Sequence, residues 1–285
     1  MASKSQMLWL RGARPRTWPA SLVPVVVGTA AVAPDVIWWR ASLALVVALA
    51  LQVGVNYAND YSDGIRGTDA NRLGPARLVG GGMATSRAVR LAAFVSFGVA
   101  AGAGLALALA TTWLLLLIGV VCVLAAWFYT GGKYPYGYYG FGELSVFVFF
   151  GLVGTAGTAF VQVEQISGLH VAAGVPVGLM CCAILMANNL RDIPQDQQSA
   201  KLTLAVRFGE KRAAWAYVVL VYGAIGAAAA LAPYRGWAPL SLIALAFAQQ
   251  AACVALADGD KARLLNQTAR LHLILGCLLT LALLL

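Results

Sequence analysis

The 285-residue chain is 61% hydrophobic and only 11% charged, and its mean hydropathy is +0.78. Soluble globular chains carry about 25% charged residues, so these proportions exclude a soluble enzyme, a disordered segment, a collagen-like repeat and a disulfide scaffold. The excess of 20 Lys and Arg over 11 Asp and Glu, a formal charge of +9, reads as the basic bias of cytoplasmic loops in a membrane protein and not as a nucleic-acid surface.

Nine apolar segments follow in chain order, near 17–34, 41–59, 88–110, 112–130, 141–162, 169–190, 213–232, 237–256 and 266–285. Each is long enough to cross about 30 Å of hydrocarbon as a helix, which satisfies its own backbone there. The first is the least regular, because it holds Pro19, Pro24 and Asp35. With the N-terminus in the cytoplasm, nine crossings place every Lys and Arg inside except Arg40 and Arg235, and the C-terminus emerges outside. The chain therefore reads as one all-α polytopic domain, residues 1–285, in the cell membrane. No removable signal peptide is expected, since no convincing cleavage site follows the basic N-terminal stretch. The five cysteines, Cys122, Cys181, Cys182, Cys253 and Cys277, lie within apolar runs and read as small core residues.

Two inner loops, about 60–87 and 191–212, are long and polar, and loops on a rigid scaffold carry function. The inner end of the second span places Asn56, Asp60 and Asp63 at i, i+4 and i+7, with Asn59 beside them, on one helix face. The inner end of the sixth span repeats the pattern with Asn188, Asp192 and Asp196 at i, i+4 and i+8. Pro194 is expected to bend or end that helix, which puts Asp196 on a loop. Acceptors stacked at a membrane boundary are costly unless a cation joins them. Asp60, Asp63, Asp192 and Asp196 fit a hard divalent ion such as Mg²⁺, expected as two ions, whose remaining ligands are water and phosphate oxygens. Arg66, Arg72, Arg77, Lys133, Lys201 and Arg207 supply cations suited to phosphate. Together these groups point to a diphosphate carried on a lipid tail.

These residues sit within stretches that resemble the membrane-embedded aromatic prenyltransferase superfamily of ubiquinone and menaquinone synthesis. The similar stretches are Arg14-Pro-Arg-Thr-Trp-Pro, Asn56 to Asp69, Arg72-Leu-Gly-Pro-Ala-Arg77, Tyr136 to Glu143, Asn189 to Ile193 and Lys201 to Arg207. The family's first motif, Asn-Asp-x-x-Asp-x-x-x-Asp, is met by Asn59, Asp60 and Asp63, but Gly67 holds its last position and Asp69 lies two residues later. The second, Asp-x-x-x-Asp, is met by Asp192 and Asp196. The resemblance, strongest to the branch acting on 1,4-dihydroxy-2-naphthoate, implies Mg²⁺-dependent transfer of a polyprenyl group from polyprenyl diphosphate to that acid, with loss of CO₂. The residues support that reaction class in their own right: Glu143, opening the fifth span on the inner side, is placed to orient or deprotonate an acceptor hydroxyl, and Tyr57, Tyr61, Tyr129, Tyr134, Tyr136, Phe147 and Phe149 are available near the inner membrane level to shelter an allylic cation.

Each residue also has a plainer reading. The aspartates could pair with neighbouring arginines, and Arg87, Arg90, Lys211 and Arg212 fit topology alone. Lys133 follows Tyr129-Thr-Gly-Gly, a turn placed to fold over a substrate. Glu143 could simply favour a helix N-terminus. His170 and His272 read as structural, and Gly80-Gly-Gly82 as a hinge. Two other functions stay open at this point: prenylation of another acceptor such as 4-hydroxybenzoate, and a cation-coupled transporter, which would place its carboxylates nearer the bilayer midplane.

Overall fold

A short helix, α1 (Lys4–Ala13), leads through Arg14, held at φ +50°, and a tight turn at Pro15–Thr17 into α2 (Pro19–Ala30). This computed structural model describes residues 4–68, 76–257, 259 and 261–285. Arg72 and Asp69, both singled out by the sequence, lie outside the described residues. Next come α3 (Trp38–Arg66), α4 (Ser86–Ala110) and α5 (Leu114–Phe128). Gly67, at φ +73°, ends α3 in the left-handed conformation that closes many helices, with the Thr68 N–H bonded back to the Asp63 carbonyl at 3.1 Å.

A single turn at Tyr136–Tyr139 precedes α6 (Gly142–Val146), which runs through a π-helical stretch (Phe147–Val153) into α7 (Gly154–Val163). The chain finishes with α8 (Gly168–Gln198), the one-turn α9 (Leu204–Phe208), α10 (Glu210–Ala229), α11 (Leu245–Leu256) after a 3-10 segment, and α12 (Leu264–Leu284). His170 caps α8 with Ser167, each side chain taking the other's backbone N–H. All regular structure among the described residues is helical.

Seven of these helical units are long and apolar enough to cross a membrane: α3, α4, α6 through α7, α8, α10, α11 with its leading turns, and α12. The other two expected spans exist as shorter apolar helices, α2 and α5. At 1.5 Å per residue, the 12 residues of α2 extend about 18 Å, less than a hydrocarbon core. Pro194 does not end α8: the helix continues to Gln198, so Asp196 is helical and not on a loop. A proline in the last turn leaves only the carbonyl four residues earlier without its donor, a cost that packing around the buried Asp192 and Asp196 offsets.

The largest apolar core gathers α2, α8, α10, α11 and α12, and is rich in alanine. A second joins α1, α3 and α4 around Tyr57, Leu78 and Phe97. Small residues let helix backbones approach closely without lipid between them. One such place is where the π stretch meets α8: a Cβ on Gly151 would stand 2.5 Å from Gly178 Cα, and one on Gly178 would stand 2.7 Å from the Phe147 ring. At the far end of the bundle, Arg40 donates to the carbonyls of Val161 and Ala110, both at 2.9 Å, and pairs with Glu164 at 3.0 Å. The start of α3 is thereby tied to the ends of α4 and α7. Replacing Gly151 with Val should lower the unfolding free energy by about 1–3 kcal/mol through overpacking. A melting curve in detergent, with Gly98→Val as the control at an open position, measures it.

Candidate active site

One face of α3 lines a cavity of about 1630 Å³ from Ala44 to Asp63, about 28 Å along the helix axis. The stripe follows helical periodicity and changes character along its length. Ala44, Val47, Ala48, Leu51 and Val55 are apolar, whereas Gln52, Asn56, Asn59, Asp60 and Asp63 make the last turns polar. The remaining apolar wall comes from α2, α4, α5 and the π stretch with α7. The result is a polar chamber continuing into an apolar shaft.

Every acid of the chamber is buried and partnered. Asp60, 1% exposed, accepts the N–H groups of Leu78 and Val79, one on each carboxylate oxygen, both at 2.9 Å. This folds the segment after the first long loop back over the end of α3 and sets Arg77 on the cavity wall. Asp63 accepts from the Tyr138 hydroxyl at 2.7 Å. Asn59 accepts from the Thr130 hydroxyl at 2.7 Å. Asn56 turns to the entry of the chain, donating to the Ala13 carbonyl at 3.0 Å and to the Thr17 hydroxyl at 3.1 Å.

On α8, Arg191 grips Asp192 with two N–H donors at 2.7 and 2.8 Å and also donates to Asn188 at 2.8 Å. Asp196 lies 3.7 Å from Lys201 Nζ. The two acidic sets meet at Tyr138: its hydroxyl is bonded to Asp63, and Lys201 Nζ, paired with Asp196, stands 5.3 Å from its ring centroid. Gln195 adds a direct tie, donating to the Thr68 carbonyl just beyond α3 at 2.7 Å. The Tyr138 phenol is held protonated. Burial raises the Tyr138 pKa, with the Asp63 charge adding to it.

Of the residues the sequence nominated, Asn56, Asn59, Asp60, Asp63, Arg77, Asn188 and Lys201 line the cavity. Asp192 and Asp196 are buried beside it and reach it through Arg191 and Lys201. Glu143 also stays behind the wall, its carboxylate accepting at 3.1 Å from Asn189, which does line the cavity. Arg66 donates to the carbonyls of Thr130 and Gly132. Arg207 donates to the carbonyls of Leu202 and Tyr139, both at 3.1 Å. Lys133 is exposed and lies against Tyr134. None of Arg66, Arg207 and Lys133 lines the cavity. Among the aromatics, Tyr129, Tyr136 and Phe149 line it. Tyr57 instead donates to the Trp9 carbonyl, and Tyr61 stacks on Trp127.

Sequence reasoning passed over Arg11, Arg14, Arg16 and Arg191 as site residues, yet all four line the cavity. The available signal was position: Arg191 adjoins Asp192 within the second motif, Arg14 and Arg16 belong to the Arg14-Pro-Arg-Thr-Trp-Pro stretch that carries the resemblance, and Arg11 precedes it. The donors facing the chamber from Asn59, Asp60, Asp63 and Asn188 are all oxygen or amide groups, which suits a hard cation and not zinc. Among the described residues no three His, Cys, Asp or Glu side chains form a metal cage. An ion here would need water and phosphate oxygens to complete its shell, the usual habit of Mg²⁺.

A profile of the UbiA prenyltransferase family matches residues 21–275. The chain is 50% identical over 256 residues to the 1,4-dihydroxy-2-naphthoate octaprenyltransferase of Mycobacterium tuberculosis, covering 88% of this chain and 86% of that one. It is 35% identical over 231 residues to the enzyme of the same name from Escherichia coli K12, covering 76% and 73%. A solved structure of a UbiA homolog from Archaeoglobus fulgidus bound to DMAPP and Mg²⁺ matches the fold with a TM-score of 0.72 at 14% identity, over 97% of this chain and 99% of that one.

Changing Asp60 to Asn should destabilise the protein by about 1–3 kcal/mol, because an amide cannot accept both backbone N–H groups without presenting a donor to one of them. The detergent melting midpoint should fall accordingly, with protease cleavage appearing first near residues 76–84.

Proposed function

The chain belongs to the UbiA prenyltransferase family and is a multi-pass membrane prenyltransferase, and we propose that it moves a polyprenyl group from polyprenyl diphosphate to 1,4-dihydroxy-2-naphthoate. The reaction releases diphosphate and CO₂ and builds the demethylmenaquinone skeleton. The observation that supports this reading is the single α3 face that is polar at one end and apolar along the rest of one cavity. A diphosphate head and an isoprenoid tail have that same division.

The head lies against Asn59, Asp63, Asn188, Arg77 and Lys201. Asp60, Asp63, Asp192 and Asp196 would hold Mg²⁺, expected as two ions, together with phosphate and water oxygens, once Arg191 and Lys201 turn from Asp192 and Asp196 to the diphosphate, and the metal would neutralise the diphosphate charge. Arg77 and Lys201 take up the negative charge that grows on the bridging oxygen as the allylic carbon–oxygen bond breaks and its electron pair leaves with diphosphate. The apolar walls exclude water that would quench the resulting cation. Tyr129 and Tyr136 offer it aromatic surface. The acceptor ring then attacks through the carbon bearing its carboxylate. A carbon–carbon bond forms to the prenyl group, CO₂ departs, and the pair from its broken bond returns to the ring, so no proton is required at that carbon. Glu143 acts through Asn189, fixing the amide that faces the acceptor. Arg66, Lys133 and Arg207 have no substrate contact in this scheme.

The near-complete segregation of Lys and Arg supports nine crossings, a cytoplasmic site and the plasma membrane as the location. The short α2 and α5 complete their crossings with the polar turns at their ends.

Purified protein given Mg²⁺, one polyprenyl diphosphate and a panel of aromatic acids should prefer dihydroxynaphthoate, and faster turnover of 4-hydroxybenzoate would replace the acceptor assignment. Asp63→Asn should lower kcat by about 100-fold or more while shifting the melting midpoint little. Chelation by EDTA should stop turnover in the native protein, and added Mg²⁺ should restore it.

A further inference from the structure

The glycines of the helical bundle fall into two sorts. At Gly28, Gly54, Gly151 and Gly178 an added Cβ would lie within 3.0 Å of a neighbouring helix, so these glycines exist to let helices touch. Gly104 on α4 and Gly157 on α7 differ. A Cβ at Gly157 would meet nothing within 4 Å, and one at Gly104 would meet only Val47 Cγ2, at 4.0 Å. Both glycines line the cavity, as do Val47 and the equally open Gly119 on α5, whereas the open Gly98 and Gly102 do not. Gly157 continues the cavity-facing series Phe150, Val153, Gly154 and Val161 at helical spacing. No close helix contact accounts for the missing side chains at Gly104 and Gly157; what their absence leaves is width.

Their depth is also matched. Val47, opposite Gly104, lies 13 residues before Asp60 on α3, about 20 Å from the polar chamber. Arg40, bonded to the Ala110 and Val161 carbonyls, levels the three helices at their far ends: counting back toward the chamber, Val47 is seven residues from Arg40, Gly104 six from Ala110 and Gly157 four from Val161, about 11, 9 and 6 Å and so within one helical turn of each other. Two walls of the shaft are therefore thinned at one level, well below the point where a two-isoprene tail ends. We propose that Gly104 and Gly157 set the length of prenyl tail this enzyme accepts, by keeping the shaft open at the level that only a long tail must pass. The inference rests on the polyprenyl-transfer reading above. A leucine at either position places a branched side chain in the bore, where a long tail must detour or lose its packing, while a short tail stops above it.

The test compares geranyl and octaprenyl diphosphate as donors to dihydroxynaphthoate for the native protein, Gly104→Leu and Gly157→Leu. Transfer from octaprenyl diphosphate, as kcat/KM, should fall by about tenfold or more in either variant, and transfer from geranyl diphosphate by less than about threefold. Gly104→Ala and Gly157→Ala, which ask less of the fold, should show a smaller loss with the same dependence on chain length. Equal loss with both donors, or no loss with octaprenyl diphosphate in all four variants, overturns the proposal while leaving the function standing. A native protein that transfers neither group overturns the function, and the tail-length inference with it.

Discussion

A carboxylate cannot remain inside an apolar helical bundle unless other groups supply the hydrogen bonds and charge it loses with water. Four aspartates here sit at 6% exposure or less, and what they recruit shapes much of the polar end of the protein. Asp60 draws in the backbone of Leu78 and Val79, which sets the path of the chain returning to α4. Asp63 takes the Tyr138 hydroxyl, which seats the turn between α5 and α6. Asp192 holds Arg191 against the cavity, and Asp196 does the same for Lys201. Two of the four thereby present cations to the substrate chamber instead of presenting themselves.

This arrangement explains how a site can be both dry and strongly charged. In the proposed reaction, removing water strengthens the attraction between the chamber and the anionic headgroup. It also shields a carbocation that would otherwise be captured. Both effects need walls that keep their shape, and the alanine- and glycine-lined seams between helices provide them. The Gly151–Gly178 approach locks the π stretch to α8, so the Phe149 and Phe150 side chains line the cavity from a rigid base. At the opposite end, Arg40 ties α3, α4 and α7 together through carbonyls that their helix ends leave unpaired.

The division of labour along α3 links structure to activity. In the proposed reaction one helix supplies both the grip on the head and one wall for the tail, so the distance from reacting carbon to shaft is built into a single element. Gln52, bonded to Thr17 at 3.1 Å, marks the change from polar to apolar lining.

Much of this was legible in the amino-acid order. Hydropathy alone calls for a helical membrane protein. Helical spacing alone puts Asn56, Asp60 and Asp63 on one face, because periodicity is a local property of a regular backbone. The same logic failed at Pro194, where tertiary packing carried α8 onward. It was also incomplete at Asp192 and Asp196, whose shared face turned out to lie behind the cavity, with Arg191 and Lys201 standing in front. Spacing along a helix says which side chains share a face and nothing about what that face meets. Which cations reach the chamber, that Asp60 clamps a loop, that Lys133 stands in solvent and Arg14 does not, and how wide the shaft runs were all decided by contacts between residues far apart in the chain. Those contacts come from packing, which no local pattern encodes.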